Sequence, residues 1–307
     1  MAESILRIGT RASRLARAQT QMVADMIAAF GVVTEIVLIK TTGDKILDRP
    51  LADAGGKGLF VKELEEALLD HRIDIAVHSM KDVPVQMPEG LGLGAILPRE
   101  EPQDVLISPH AARIQDLPEG AKLGTSSVRR SAQVRRARPD VSPVMLRGNV
   151  DTRLSKLDSG EMDAIILARA GLKRLGLGAR AVNALPTEEW LPSLAQGAVG
   201  IELRLSDSFA TQAVARLNDE KTEIELICER AFQAALDGSC RTPIAGLARY
   251  DGKTLSFRGE VLAPDGSDAI ATQFSIDIDI YGKSEAARAG REAGEALKPK
   301  AANWLAL

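Results

Sequence analysis

The sequence predicts an α/β chain, with two similar α/β domains followed by a smaller α+β domain. Three observations carry this. Short strand-like runs alternate with helical periodicities from Leu6 to Arg204, the order that builds mainly parallel sheets. Three strand-to-turn pieces recur in the same order, at 7–11 and 122–127, at 38–43 and 144–149, and at 74–77 and 163–168. Beyond Ile244 the pattern changes to three strand-like segments separated by Asp251-Gly252 and Asp265-Gly266, both strong hairpin signals.

Leu6–Ile8 is a short apolar strand ending at Gly9, Thr10 and Arg11. A helix follows, with Leu15, Met22, Val23 and Met26 at helical spacing and Ser13 as its N-cap. Thr34–Lys40 is a second strand. Thr41–Gly58 has no clean periodicity, and a stretch of that length reads as a lid or a disordered loop. Its Gly-Gly-Lys-Gly at 55–58 lacks the spacing and the terminal Lys-Ser/Thr of a phosphate loop. A helix resumes at Leu59, with Val61, Leu64 and Leu68 on one face. Ile73, Ile75 and Val77 alternate with Asp74 and Ala76 as a strand, which runs into the polar turn His78–Asp82 closed by Pro84. Ligands of open α/β sheets sit beyond the carboxyl ends of strands, which marks Lys81 and Asp82. The bland alternative is a surface turn with an incidental ion pair.

Gly90–Leu97 is another apolar segment, and Pro98–Pro102 is a crossover. The pattern then restarts: Lys122–Ser127 leads into an arginine-rich helix, Val144–Arg147 precedes a Gly148 turn, and Asp163–Ala168 is a strand. Leu191–Arg204 is a loop and then a strand that crosses back to the first domain. Asn218–Leu236 is a helix, Asp237–Pro243 a tight loop, and 244–250, 254–262 and 268–280 are strands before a closing helix at Ser284–Lys298. The domains expected are 1–98 with 198–216, then 103–191, then 219–307.

With 307 residues, 45% hydrophobic and 26% charged, the chain has the composition of a soluble globular protein with a sizeable core. Its apolar runs are too short to cross a membrane. Met1–Arg7 is no secretory signal, so a cytoplasmic setting is expected. Cys228 and Cys240 form neither a disulfide framework nor a Cys-x-x-Cys site, and His71, His78 and His110 show no metal-ligand spacing, so no metal is expected. Net charge is −3 and aromatic residues make up 3%, which leaves little for nucleic-acid backbone attraction or base stacking.

Local charge differs from the total. Arg11, Lys57 and Lys81 from the first domain, and Arg129, Arg130, Arg147, Arg153 and Arg174 from the second, fall at strand ends or helix starts. A basic set in an acidic chain calls for an anionic ligand, and arginine's planar fork matches carboxylate or phosphate two bonds at a time. The helix start at Ser126-Ser127 adds N–H donors and a positive dipole end. For Arg129–Arg138 the plain alternative is a solvated helix face. Cys228, on an apolar helix, reads as a small buried residue. Cys240 lies in a polar loop beside Arg241, which favours the thiolate, so it is a candidate nucleophile or attachment point.

Six motifs carry a resemblance along the whole chain: Gly-Gly-Lys-Gly-Leu-Phe-Val-Lys-Glu-Leu-Glu at 55–65, His-Ser-Met-Lys-Asp-Val-Pro at 78–84, Gly-Thr-Ser-Ser-Val-Arg-Arg at 124–130, Arg-Gly-Asn-Val-Asp-Thr-Arg-Leu at 147–154, Ala-Gly-Leu-Lys-Arg-Leu at 170–175 and Gly-Ser-Cys-Arg-Thr-Pro-Ile at 238–244. In this order they resemble the porphobilinogen deaminase (hydroxymethylbilane synthase) family. The resemblance implies two periplasmic-binding-protein-like (type II) domains flanking a cleft and a third domain carrying a cofactor loop. It implies a transferase that condenses four porphobilinogen molecules head to tail, with loss of ammonia, and releases hydroxymethylbilane for tetrapyrrole biosynthesis. The primer would be a dipyrromethane cofactor held by a thioether on Cys240. Asp82 matches the catalytic carboxylate, suited to stabilising a cationic azafulvene-like intermediate and to moving protons. Arg11 and Arg147 would sit near the reacting ring. Lys81, Ser127, Arg129, Arg130, Arg153 and Arg174 would hold cofactor and substrate carboxylates, while Ser13, Lys57, Phe60 and Gln196 belong to the cleft and lid. A monomer without nucleic-acid or membrane partners is implied.

Thr10, Arg17 and Ala195 depart from the family's usual serine, apolar residue and glycine, and touch none of the residues assigned to chemistry. The competing reading is a non-enzymatic anion-binding protein on the same scaffold. The missing export signal, the Cys240 loop and Asp82 among the cations disfavour it.

Overall fold

The repeated strand–helix order holds in the computed structural model, which describes residues 5–45, 58–238 and 242–305. The chain forms two units, Met1–Glu100 with Ala198–Glu223, and Glu101–Gly197 with Ile224–Leu307.

The first unit opens with β1 (Leu6–Arg11), α1 (Arg14–Ala28) and β2 (Thr34–Ile39). Ser13 caps α1, accepting from the Ala16 N–H at 3.3 Å. The helix buries Val23, Ala24 and Ile27 against Leu6 and Ile8. The short α2 (Thr42–Lys45) ends shortly before the undescribed segment, and α3 (Lys62–Leu69) begins after it. Leu64 and Leu68 of α3 are fully buried, as their spacing predicts. Then come β3 (Ile75–Ser79), a single 3-10 turn at Met80–Asp82, and β4 (Leu91–Ile96).

The second unit repeats this with β5 (Asp104–Ile107), β6 (Lys122–Gly124), α4 (Val128–Ala137), β7 (Ser142–Val144), α5 (Val150–Asp158), β8 (Ala164–Ala168) and α6 (Arg169–Arg174). The chain then returns as β9 (Val199–Arg204) and α7 (Ser208–Ala215) to complete the first unit. Sheet orders are β2-β1-β3-β9-β4 and β7-β6-β8-β5. β1 runs parallel to β2 and β3, and β6 runs parallel to β7 and β8. β9 and β5 are antiparallel to their neighbours β3 and β8. The sheets are therefore mixed rather than uniformly parallel. β5 and β9 each enter their sheet from the other unit rather than through a crossover helix of their own, so no right-handed crossover dictates their direction. The repeat inferred from three turn correspondences is thus a repeat of topology in two α/β sheets.

After α8 (Glu220–Ala235) the chain forms an antiparallel meander of β10 (Ile244–Tyr250), β11 (Thr254–Leu262) and β12 (Ala269–Asp277), followed by α9 (Lys283–Leu297) and α10 (Ala302–Leu305). Phe232, Phe257 and Cys228 share the core of this smaller α+β part. α9 lies hard against α8. A Cβ on Gly290 would stand 2.2 Å from the Cys228 carbonyl oxygen, and one on Gly294 2.6 Å from Ala235 Cβ.

Candidate active site

In the first unit, parallel pairing sends the carboxyl ends of β1 and β3 to one sheet edge. Arg11 ends β1, Ser79 ends β3, and Met80–Asp82 follows it. The turn is fixed from several sides. The buried Met80 donates its N–H to the Ala198 carbonyl at 3.1 Å, and the Val83 N–H returns to the Met80 carbonyl at 3.2 Å. Ser79 and the Gln19 amide of α1 exchange hydrogen bonds at 2.9 and 3.1 Å. Buried His78 places Nε2 2.9 Å from Oε2 of buried Glu202 on β9. Lys81 and Asp82 are left half-buried on this stiff support. The Arg11 guanidinium lies over the Phe60 ring, 4.0 Å from its centroid, a cation–π contact joining two of the sequence-predicted residues. Ser13 is the α1 cap, so its hydroxyl already accepts a backbone N–H. Lys57 lies outside the described residues.

In the second unit the end of β6 leads through Thr125 to Ser127, which caps α4 by accepting from the Arg130 N–H at 3.4 Å. Arg129 and Arg130, in the first turn of α4, are 4% and 6% exposed. Both grip Asp104. Arg129 Nη2 donates to Oδ2 at 2.8 Å and Arg130 Nη2 to Oδ1 at 2.7 Å. Gln196 Nε2 adds a bond to Oδ1 at 2.8 Å and Trp190 Nε1 one to Oδ2 at 3.0 Å. Arg129 Nη1 also donates to Gln133 Oε1 and the Leu191 carbonyl, and Arg130 Nη1 to the Ile166 carbonyl. Burial by itself would push the Asp104 carboxyl up. The two guanidinium charges and these hydrogen bonds instead hold it far below the usual carboxylate range. Burial and the neighbouring Arg130 charge lower Arg129 despite Asp104. Two buried cations thus share one carboxylate, and the Nε atoms of both have no hydrogen-bond partner among the described residues.

Arg147 follows β7 and is half-buried. Arg153 on α5 donates Nε to the Gly148 carbonyl at 2.9 Å, and Arg174 at the end of α6 donates Nη2 to the Gly197 carbonyl at 2.6 Å. Gln196 is buried and also bonds the Pro102 carbonyl at 2.7 Å. The rest of the arginine run serves structure: Arg135 donates to the Pro264 carbonyl, Arg136 pairs with Glu260, and Arg138 pairs with Asp140. Cys240 lies outside the described residues. Cys228 is buried, and burial pushes its thiol up, away from reactivity.

Sequence reasoning missed Asp104, Trp190, Glu202 and Glu229. Asp104 did leave a signal, a lone charge heading the apolar run Val105–Ile107 right after the crossover. Glu229 accepts from the Ala195 N–H at 2.5 Å and the Ala248 N–H at 2.8 Å. That anchors Ala195 at φ +59, a left-handed position where glycine is the easier residue. Among the described residues no group of three or more His, Cys, Asp or Glu side chains could hold a metal ion, and no helix is long and apolar enough to cross a membrane.

Two family models match the chain. The one described as "Porphobilinogen deaminase, dipyromethane cofactor binding domain" covers residues 6–212, and "Porphobilinogen deaminase, C-terminal domain" covers 223–299. The chain belongs to the porphobilinogen deaminase family. Its enzyme activity is accordingly that of a hydroxymethylbilane synthase, an ammonia-releasing transferase. Distant likenesses among solved structures are periplasmic binding proteins and related lipoproteins. Lipoprotein Tp32 from Treponema pallidum is 14% identical over 70% of this chain and 90% of its own, with a TM-score of 0.44. An ABC-transporter periplasmic substrate-binding protein from Coxiella burnetii is 15% identical over 69% and 91%, with a TM-score of 0.43. At that distance they say nothing of what this chain binds.

Proposed function

We propose that the enzyme condenses four porphobilinogen molecules head to tail, each losing ammonia, onto a dipyrromethane primer held by a thioether to Cys240, and releases hydroxymethylbilane for haem, chlorophyll or cobalamin synthesis. It acts as a cytoplasmic monomer. The observation that carries this reading is the pair of family models spanning 6–212 and 223–299.

The residues fit such a group. Every porphobilinogen-derived ring brings an acetate and a propionate. Arg129 and Arg130 are a buried cation pair short of one anion, with spare Nε donors, which suits a ligand carboxylate. Ser127, Arg153, Arg174 and Lys81 complete the set that would hold it, with Cys240 supplying sulfur. Bound there, the dipyrromethane supplies the nucleophilic ring carbon that starts the chain. Asp82, on its stiff turn, stabilises positive charge on the substrate ring as ammonia leaves and takes up the ring proton. Arg11, braced on Phe60, and Arg147 act close to the reacting ring and manage chain growth, and Phe60 and Lys57 belong to the lid loop.

Intact mass of the denatured protein tests this, with Cys240→Ser beside the wild type. The expected result is an adduct of two pyrrole units on the wild type and none on C240S. A wild type still unmodified after incubation with porphobilinogen would remove the thioether assignment.

A further inference from the structure

Each unit holds one aspartate between two arginines. Asp74 precedes β3 in the first unit, where Arg7 Nη2 reaches Oδ1 at 2.6 Å and Arg204 Nη2 reaches it at 3.3 Å. That is the amino edge of the sheet, opposite the Asp82 turn. Asp104 is placed differently. β5 runs antiparallel to β8, and the register sets Asp104 opposite Ala168, the last residue of β8. Its carboxylate therefore sits at the carboxyl edge of the second sheet, where β6 delivers Ser127 and α4.

There it is fully buried and takes one N–H from each of Arg129, Arg130, Gln196 and Trp190, two donors on each oxygen. Four fixed donors leave the carboxylate no rotation. In turn each guanidinium is held by Asp104 at Nη2 and by carbonyl or amide oxygens at Nη1. Nε is the one nitrogen of each guanidinium that is buried and without a partner among the described residues. A guanidinium fixed at both terminal nitrogens keeps its plane, so the direction of the spare N–H is set before any ligand arrives.

We infer that Asp104 is a positioning residue: by clamping Arg129 and Arg130 it aims their spare N–H groups at a carboxylate of the dipyrromethane or substrate. This rests on the carboxylate-binding role given above to the two arginines. Two effects of removing the Asp104 charge oppose each other. Taking a negative charge away from two arginines strengthens their pull on an anion, while losing the clamp misdirects their donors. Positioning predicts that misdirection wins.

The experiment follows the uptake of the two-pyrrole adduct by cofactor-free protein incubated with porphobilinogen, read as intact mass against time, well below the unfolding temperature of each variant. Asp104→Asn is expected to load roughly 10- to 100-fold more slowly than wild type, the scale of a misplaced binding group. Asp104→Glu, with the charge kept and the reach changed, recovers some of the rate. Asp74→Asn, a comparable aspartate at the opposite sheet edge, loses stability but loads at the wild-type rate. Equal or faster loading by D104N overturns the inference, as does equal slowing in D74N. If D104N does not fold, Trp190→Phe removes one donor to Asp104 with every charge in place; slower loading supports the clamp and unchanged loading overturns it. A wild type that takes up no adduct overturns the underlying reading, and the positioning role with it.

Discussion

At Asp82 the backbone decides as much as the carboxylate. A half-buried side chain on an ordinary loop would wander, but the turn is pinned through Met80, Ser79 and His78 to a strand and a helix of its own unit. The backbone that carries the carboxylate is therefore fixed, as the role proposed for Asp82 requires. We expect Asp82→Asn to lower turnover by about 100- to 10,000-fold, the usual span for a positioned acid or base, while intact mass still shows the pyrrole adduct. Near-normal turnover would end that role for Asp82. The arginines teach a second lesson at this scale. Arg129 and Arg138 sit on one run of sequence, yet Arg129 is buried against Asp104 while Arg138 bonds Asp140 and nearby carbonyls on the surface. The run itself gives no sign of which side chain turns inward.

At the scale of the element, helix ends and helix crossings give two substitutions of opposite sign. α3 ends at Leu69, and two residues on His71 is exposed at φ +55, with its N–H on the Leu68 carbonyl and the Arg72 N–H on the Ala67 carbonyl. That is the left-handed helix stop at which glycine is the common residue. His71→Gly is expected to stabilise the first unit by about 0.5–1 kcal/mol, measured by urea unfolding. In α9, by contrast, Gly290 faces the backbone of α8 with no room for a methyl group. Glycine to alanine inside a helix normally gains about 1 kcal/mol. Here Gly290→Ala must push α8 and α9 apart and is expected to destabilise by roughly 1–3 kcal/mol. A gain in stability would mean that the two helices separate easily.

For the whole molecule, the two clamped aspartates make stability depend on acid. Asp104 and Asp74 are both held below the ordinary carboxylate range by their arginines and hydrogen bonds, which outweigh burial. Groups depressed in the folded state stabilise it fully above the unfolded value, about 3.9 for aspartate, and lose that contribution as pH falls from there toward the folded value. Unfolding midpoints in urea should therefore drop steeply below about pH 4, and the D74N/D104N double variant should show a flatter acid limb from a lower starting stability. An acid limb of unchanged slope would assign the loss to other carboxylates.

By itself the sequence determined many of the strands, helices and hairpins, because periodicity and turn chemistry are local, although β5, α5 and α7 were not read from it. Ser13 as a cap, the helix start at Ser127, the Leu64 and Leu68 face and the 244–250 and 254–262 strands all stand where spacing put them. It also determined the family, since the motifs are contiguous stretches of chain. Only tertiary structure decided that β5 and β9 enter their sheets antiparallel, that Arg129, Arg130, Gln196 and Trp190 converge on Asp104, and that Glu229 holds Ala195 in a left-handed turn. The four donors lie 25 to 92 residues from Asp104 in sequence. A buried charge must find its counter-charge wherever the fold brings one, and no local pattern records where that is.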